Sequence, residues 1–169
     1  REIRVLPDAA GLNRAAADEF IRCAREAIAA RGRFAVALAG GSTPRAVYSL
    51  LAGDQADAAR RLPWEKIHLF FGDERHVPPT DAESNFRMAS ESLLSNVPVP
   101  EDNIHRVQAE LDATTAASRY EEELHSFFHP APGGWPRFDL VMLGMGPDGH
   151  TASLFPDSPA LTETARMVA

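Results

Sequence analysis

Three compact, largely apolar runs, Phe34 to Leu38, Ile67 to Phe71 and Leu140 to Leu143, each hand over to a loop that contains glycine. Runs of this kind suit strands buried on both faces, which is the environment of a parallel sheet covered by helices. The stretches around them have helical periodicity, so the chain alternates between strand and helix and implies crossover units. The expected fold class is α/β: a doubly wound, mainly parallel sheet with helices on both faces.

In chain order, Ile3 to Leu6 can make a short strand, and Leu12 to Ala30 an amphipathic helix with Phe20, Ala24, Ala27 and Ile28 on one face and Gly32 as its stop. Helical spacing resumes over Arg45 to Ala52 through Val47, Leu50 and Leu51. Ser84 is placed to cap a helix reaching about Leu94, and Asn103 to Val107 reads as a short edge strand. Ala113 to Phe128 is helical, with Tyr120, Leu124, Phe127 and Phe128 inward and Glu121, Glu122 and Glu123 on a solvated face. Leu140 to Leu143 is expected to be buried on both faces, with a helix-compatible run, Thr151 to Leu154, after its loop.

A chain of 169 residues, 44% hydrophobic, is long enough for one domain, 1–169, with a real core. Its formal charge of −7, without clustered Lys and Arg, argues against nucleic-acid and anionic-membrane binding. An anionic ligand must therefore be held locally. Cys23 is the single cysteine and lies among apolar helix positions, which fits an inert buried thiol in a reducing cytoplasm. No apolar run approaches membrane-spanning length.

Parallel strands point the same way, so the turns after Leu38, Phe71 and Leu143 can open on one edge of the sheet. The first, Gly40-Gly41-Ser42-Thr43, offers backbone N–H groups, two hydroxyls and a helix N-terminus, a combination suited to phosphate. It lacks the lysine and spacing of a Walker loop, and a tight turn with Ser42 or Thr43 merely capping a helix is an equal reading of the motif alone. In the second, Arg75 can fork onto a phosphate or carboxylate, and Asp73 can orient it or hold an imidazole. By itself such a loop is more often surface ion pairing. The third turn crowds Gly144, Gly146, Asp148, Gly149 and His150 together, placing a titratable imidazole where open parallel sheets bind ligands. A plain glycine turn with one solvated histidine is the competing reading.

His68, His76, His105, His125 and His129 have no helical metal-ligand spacing and read as structural or exposed, so no catalytic metal is expected. No Gly-x-Ser-x-Gly elbow is present, and Ser153 follows His150 too closely for a serine triad. Water is the expected nucleophile if the chain is a hydrolase.

These residues resemble a known family. ALAGGSTP, FFGDERHVPP with the downstream pair Ser84 and Asn85, and LGMGPDGHTASLFP are together similar to the 6-phosphogluconolactonases, over Ala37 to Pro156. The resemblance implies the sugar-phosphate isomerase and deaminase type of α/β fold, hydrolysis of 6-phospho-D-glucono-1,5-lactone to 6-phospho-D-gluconate in the oxidative pentose phosphate pathway, and no cofactor. It implies His150 as general base, with Asp73 and Arg75 at the reacting centre. It also implies Gly40, Gly41, Ser42, Thr43, Arg75, Asn85, Gly146 and Asp148 around a small sugar-phosphate lactone. Members of the family run on past Ala169 through a basic, proline-containing segment that helps bind phosphate, so the C-terminal part of the domain is expected to be missing.

On this reading neutral His150 takes a proton from water attacking the lactone carbonyl and returns it to the ring oxygen, so activity falls at acid pH. Arg75 or loop N–H groups would stabilise the oxyanion, and Asp148 or Asp73 would fix the imidazole tautomer. Two rivals are weighed against it. The amino-sugar-phosphate deaminases and isomerases carry Asn-Glu where this chain has Leu154-Phe155, which leaves no further carboxylate for their proton shuttle. A sugar-phosphate sensor would need Ser42 and Thr43 but not His150, and the chain carries no basic recognition helix.

Overall fold

A computed structural model describes residues 2–58 and 60–169. Helix α1 spans Ala9–Arg31; the Asp8 carboxylate accepts from the Gly11 N–H at its start, and Gly32, at φ 78°, lets the chain leave its end in the left-handed region. Strand β1 (Phe34–Leu38) follows, then α2 (Ser42–Gly53), β2 (Ile67–Phe71), α3 (Asn85–Ser92), β3 (Ile104–His105), α4 (Ala113–Phe128) and β4 (Leu140–Val141). Ser84 caps α3 by accepting from the Arg87 N–H, as its position in the sequence implies.

All strand pairs are parallel, in the order β3-β2-β1-β4. The chain steps outward from β1 to β3 and then returns through α4 to lie on the other side of β1. Because crossovers share one hand, that reversal puts α4 on the opposite face from α2 and α3. Phe34, Val36 and Leu38 of β1 and Ile67, Leu69 and Phe71 of β2 pack with α1, α2 and α3. The intervening Ala35 and Phe70 meet Tyr120 and Leu124 of α4. Covering a side chain such as Phe34, Leu69 or Phe70 completely contributes roughly 1.5–3 kcal/mol, so β1 and β2 are the most strongly held strands. The direction of winding switches between β1 and β4, the place where open α/β sheets leave a crevice.

Four expectations are corrected. Residues 3–6 form no strand: Ile3 and Val5 are 84% and 89% exposed, and no neighbouring strand offers them a ladder among the described residues. The last strand is two residues long and lies at the sheet's edge, paired only with β1, so Leu140 is partly covered while Val141 and Leu143 are exposed. Residues 151–154 make a turn rather than a helix, closed by the Leu154 N–H to the Thr151 carbonyl at 2.9 Å, with Ala152 at φ 50°. The acidic triplet of α4 is not simply solvated: Glu123 bonds His105 Nδ1 at 2.7 Å, and Glu121 accepts from the Met167 N–H at 2.7 Å. No helix is long and apolar enough to cross a membrane among the described residues.

Candidate active site

A cleft of about 270 Å³ opens at the C-terminal ends of β1, β2 and β4, and all three glycine-containing turns line it. From the first come Gly40, Gly41, Ser42 and Thr43, from the second Asp73 and Arg75, and from the third Gly144, Gly146 and His150, with Asn85 of α3 at the back.

The first turn is held from below. Tyr48, buried in α2, donates its hydroxyl hydrogen to the Ala39 carbonyl and accepts from the Ala39 N–H, both at 2.9 Å. The ring's bulk fills the core while its hydroxyl takes the strand-end groups that have no ladder partner. Burial pushes this phenol well above the ordinary tyrosine range. Helix α2 begins at Ser42, earlier than periodicity alone indicated, and its N-cap Gly41 lies at φ 105°. Neither Ser42 nor Thr43 caps it, since both lie inside the first turn and no side-chain cap bond is made. The reading of these hydroxyls as mere caps is thereby removed. An uncapped helix start with two hydroxyls is electropositive and short of acceptors, which suits a phosphate.

The second turn has a similar support. Tyr120 of α4 donates to the Phe71 carbonyl at 3.0 Å and accepts from the Phe71 N–H at 2.9 Å. Glu74 then accepts from the Asn85 and Phe86 N–H groups and the Ser84 hydroxyl, which fastens the turn to the start of α3. Asp73 does not pair with Arg75 or hold the imidazole, the two roles open to it in the sequence. Its carboxylate accepts from Asn85 Nδ2 at 3.2 Å and from Ser153 Oγ at 2.7 Å. Asn85, 6% exposed, also donates to the Asp73 carbonyl at 3.1 Å, and its side chain occupies the space beside Gly40 so fully that a Cβ there would lie 2.0 Å from its Oδ1. Arg75 is exposed on the cleft wall, and its guanidinium has no carboxylate partner among the described residues.

The third turn carries His150, whose side chain is 26% exposed. Asp148 accepts from its Nδ1 at 2.5 Å and from its backbone N–H at 3.2 Å, and this bonding holds the Asp148 carboxyl below the usual aspartate range. The Phe155 ring lies against the imidazole, centroids 4.4 Å apart. Gly146 passes directly beneath it, since a Cβ there would sit 2.1 Å from His150 Cε1. With Nδ1–H given to Asp148, Nε2 is the nitrogen left to accept a proton. Asp148 itself stands behind the imidazole, outside the cleft wall.

The remaining histidines lie elsewhere. His68 Nδ1 and His105 Nε2 are 3.2 Å apart within an aromatic cluster of Phe70 and Phe127, and His76 bonds the Leu111 carbonyl. Among the described residues, no three His, Cys, Asp or Glu side chains are grouped to hold a metal ion. Sequence reasoning placed Tyr120 inward without its hydroxyl's role, and it passed over Tyr48 and Glu74. A tyrosine on the buried face of a helix does advertise a hydroxyl in need of a partner, whereas nothing distinguishes Glu74 from a surface acid.

Over residues 7–169 the chain matches the family model described as glucosamine-6-phosphate isomerases/6-phosphogluconolactonase. It is 43% identical over 169 residues to a 6-phosphogluconolactonase of Nostoc sp., covering 99% of this chain and 68% of that protein. It is 49% identical over 144 residues to one of Synechocystis sp., covering 85% of this chain and 58% of that one. The crystal structure of a 6-phosphogluconolactonase from Thermotoga maritima superposes with a TM-score of 0.78 at 36% identity, over 90% of this chain and 63% of that chain. The chain thus spans about three fifths to two thirds of these relatives. The fold and the placing of the cleft define an open, parallel-sheet α/β protein with its cleft at the C-terminal ends of the strands. The chain belongs to the glucosamine-6-phosphate isomerase/6-phosphogluconolactonase family.

Proposed function

We propose that this chain carries the hydrolytic site of a 6-phosphogluconolactonase, which opens 6-phospho-D-glucono-1,5-lactone to 6-phospho-D-gluconate in the cytoplasm, with residues 1–169 belonging to a single sugar-phosphate hydrolase domain. The observation that carries the reading is the imidazole of His150, bonded through Nδ1 to Asp148 at 2.5 Å and lining the same cleft as Ser42 and Thr43. The phosphate sits on the first turn of α2, and Arg75 supplies the fixed positive charge nearby.

Nε2 of His150 accepts a proton from a water as the water oxygen bonds to the lactone carbonyl carbon. The carbonyl oxygen becomes an oxyanion, stabilised by Arg75 and the N–H groups of the glycine turn. When the intermediate collapses, the bond to the ring oxygen breaks and Nε2–H returns the proton to that oxygen. Asp148 fixes the tautomer in which Nδ1 carries hydrogen, and it stabilises the imidazolium formed between the two steps. Phe155 against the imidazole puts an aromatic ring where the related deaminase pattern carries its further carboxylate.

The test is acid release from freshly prepared lactone followed in a pH-stat, with His150→Ala measured beside the parent chain to subtract spontaneous opening. Saturable release that the variant lacks supports hydrolysis. Binding of 6-phosphogluconate by both proteins, with no release above background, would instead identify a sensor.

A further inference from the structure

Nothing within the turn of residues 146–150 sets His150 relative to the phosphate cradle. Asp148 and Gly146 hold the imidazole on its own loop only, and β4 beneath that loop is a two-residue edge strand. The turn that follows is strained: Ala152 lies at φ 50°, a left-handed conformation that a residue bearing a Cβ keeps only when its surroundings enforce it. One side-chain bond reaches from this turn across 80 residues of sequence, the Ser153 hydroxyl donating to Asp73 Oδ2 at 2.7 Å.

We propose that Ser153 is a positioning residue for His150, its bond to Asp73 registering the histidine turn against the phosphate cradle. The inference rests on the hydrolytic reading above. Asp73 can serve as an anchor because its other carboxylate oxygen and its carbonyl are both taken by Asn85, and Asn85 is wedged against Gly40 at the cradle. A continuous path of contacts therefore runs from Gly40 through Asn85, Asp73 and Ser153 to the turn that carries the base. Ser153 is exposed and lies outside the cleft wall, so it acts through Asp73 and touches no substrate. Both carboxylate oxygens of Asp73 are thus engaged, one by Asn85 and one by Ser153.

The test compares Ser153→Ala and Ser153→Thr by lactone kinetics and by the imidazole ¹⁵N–¹H spectrum of His150. Loss of registry without loss of the cradle lowers kcat about 10-fold in the alanine variant while KM stays within about twofold, since small misplacement of a reacting group is costly. The His150 resonances shift or split, and threonine, which keeps the hydroxyl, restores both readouts. Unchanged kcat in Ser153→Ala, or a threonine variant as impaired as the alanine one, overturns the proposal. If the parent chain opens no lactone, the functional reading fails separately; the spectrum still decides the clamp, and an alanine variant with an unaltered His150 signal removes it.

Discussion

The turn after β1 and the turn after β4 face each other across the cleft, but they stand on different foundations. The first continues a five-residue strand buried throughout, and Tyr48 takes both backbone groups of Ala39 where that strand ends. The second continues a two-residue edge strand whose Val141 is 48% exposed, and it is held by side-chain bonds through Asp148 and Ser153. The proposed phosphate side inherits its shape from the core, whereas the proposed proton-transfer side is assembled from individual hydrogen bonds. Binding geometry and chemical geometry in this cleft therefore rest on different foundations, joined through Asn85, Asp73 and Ser153.

Substitutions can break that contrast, and the largest effect is expected at the base. His150→Ala should lower kcat about 100-fold or more with KM little changed, because it removes proton transfer and leaves the cradle intact. A comparable rise in KM would show that the two sides are not independent. Next come two added methyl groups. Gly146→Ala places a Cβ 2.1 Å from His150 Cε1, so the imidazole has to move, and kcat should fall roughly 10- to 100-fold. Gly40→Ala places a Cβ 2.0 Å from Asn85 Oδ1, and steady-state kinetics should show a KM raised about 10-fold as uniform binding is weakened, with a smaller fall in kcat because Asn85 also anchors Asp73. An exchange of these two signatures would refute the assignment of the sides.

Tyr48→Phe and Tyr120→Phe sharpen the contrast in stability. Each leaves a buried N–H and carbonyl unpaired at a strand end, a cost of about 1–3 kcal/mol in chemical denaturation. The smallest effect lies outside the cleft. His68, confined among Phe127, His105 and nearby Arg33, has its pKa pushed down to about 4, chiefly by burial and then by its electrostatic interaction with His105 and Arg33. A native-state pKa below the ordinary value of 6.5 means that the unfolded chain binds the proton more readily. The contribution of His68 to stability is therefore full above about pH 6.5 and is lost as pH falls through about 4. His68→Gln should flatten that slope in melting temperatures recorded across the interval.

The sequence disclosed the cleft better than it disclosed what supports it. Uninterrupted apolar runs mark β1 and β2 because both of their faces are buried, and the glycine turns beyond them follow from parallel direction alone. The same logic failed at residues 140–143, where apolar composition describes a strand in search of cover rather than one that has found it. It failed again at residues 3–6, since a strand exists only beside a partner. Asp148 as the partner of His150 was one of two open readings, and a separation of two residues made it the nearer. The bonds of Asp73 to Asn85 and Ser153 were invisible, because they join segments whose proximity is a property of the folded sheet.

The two tyrosine hydroxyls have one more implication, for the order in which warming dismantles the molecule. Ala39 and Phe71 are tied to helices that cannot leave without exposing the core, so the phosphate seat should outlast every transition short of global melting. The histidine turn, tied among the described residues by Ser153 alone, should loosen first, leaving over some span of temperature a protein that keeps the proposed phosphate seat but no longer holds the proposed base beside it.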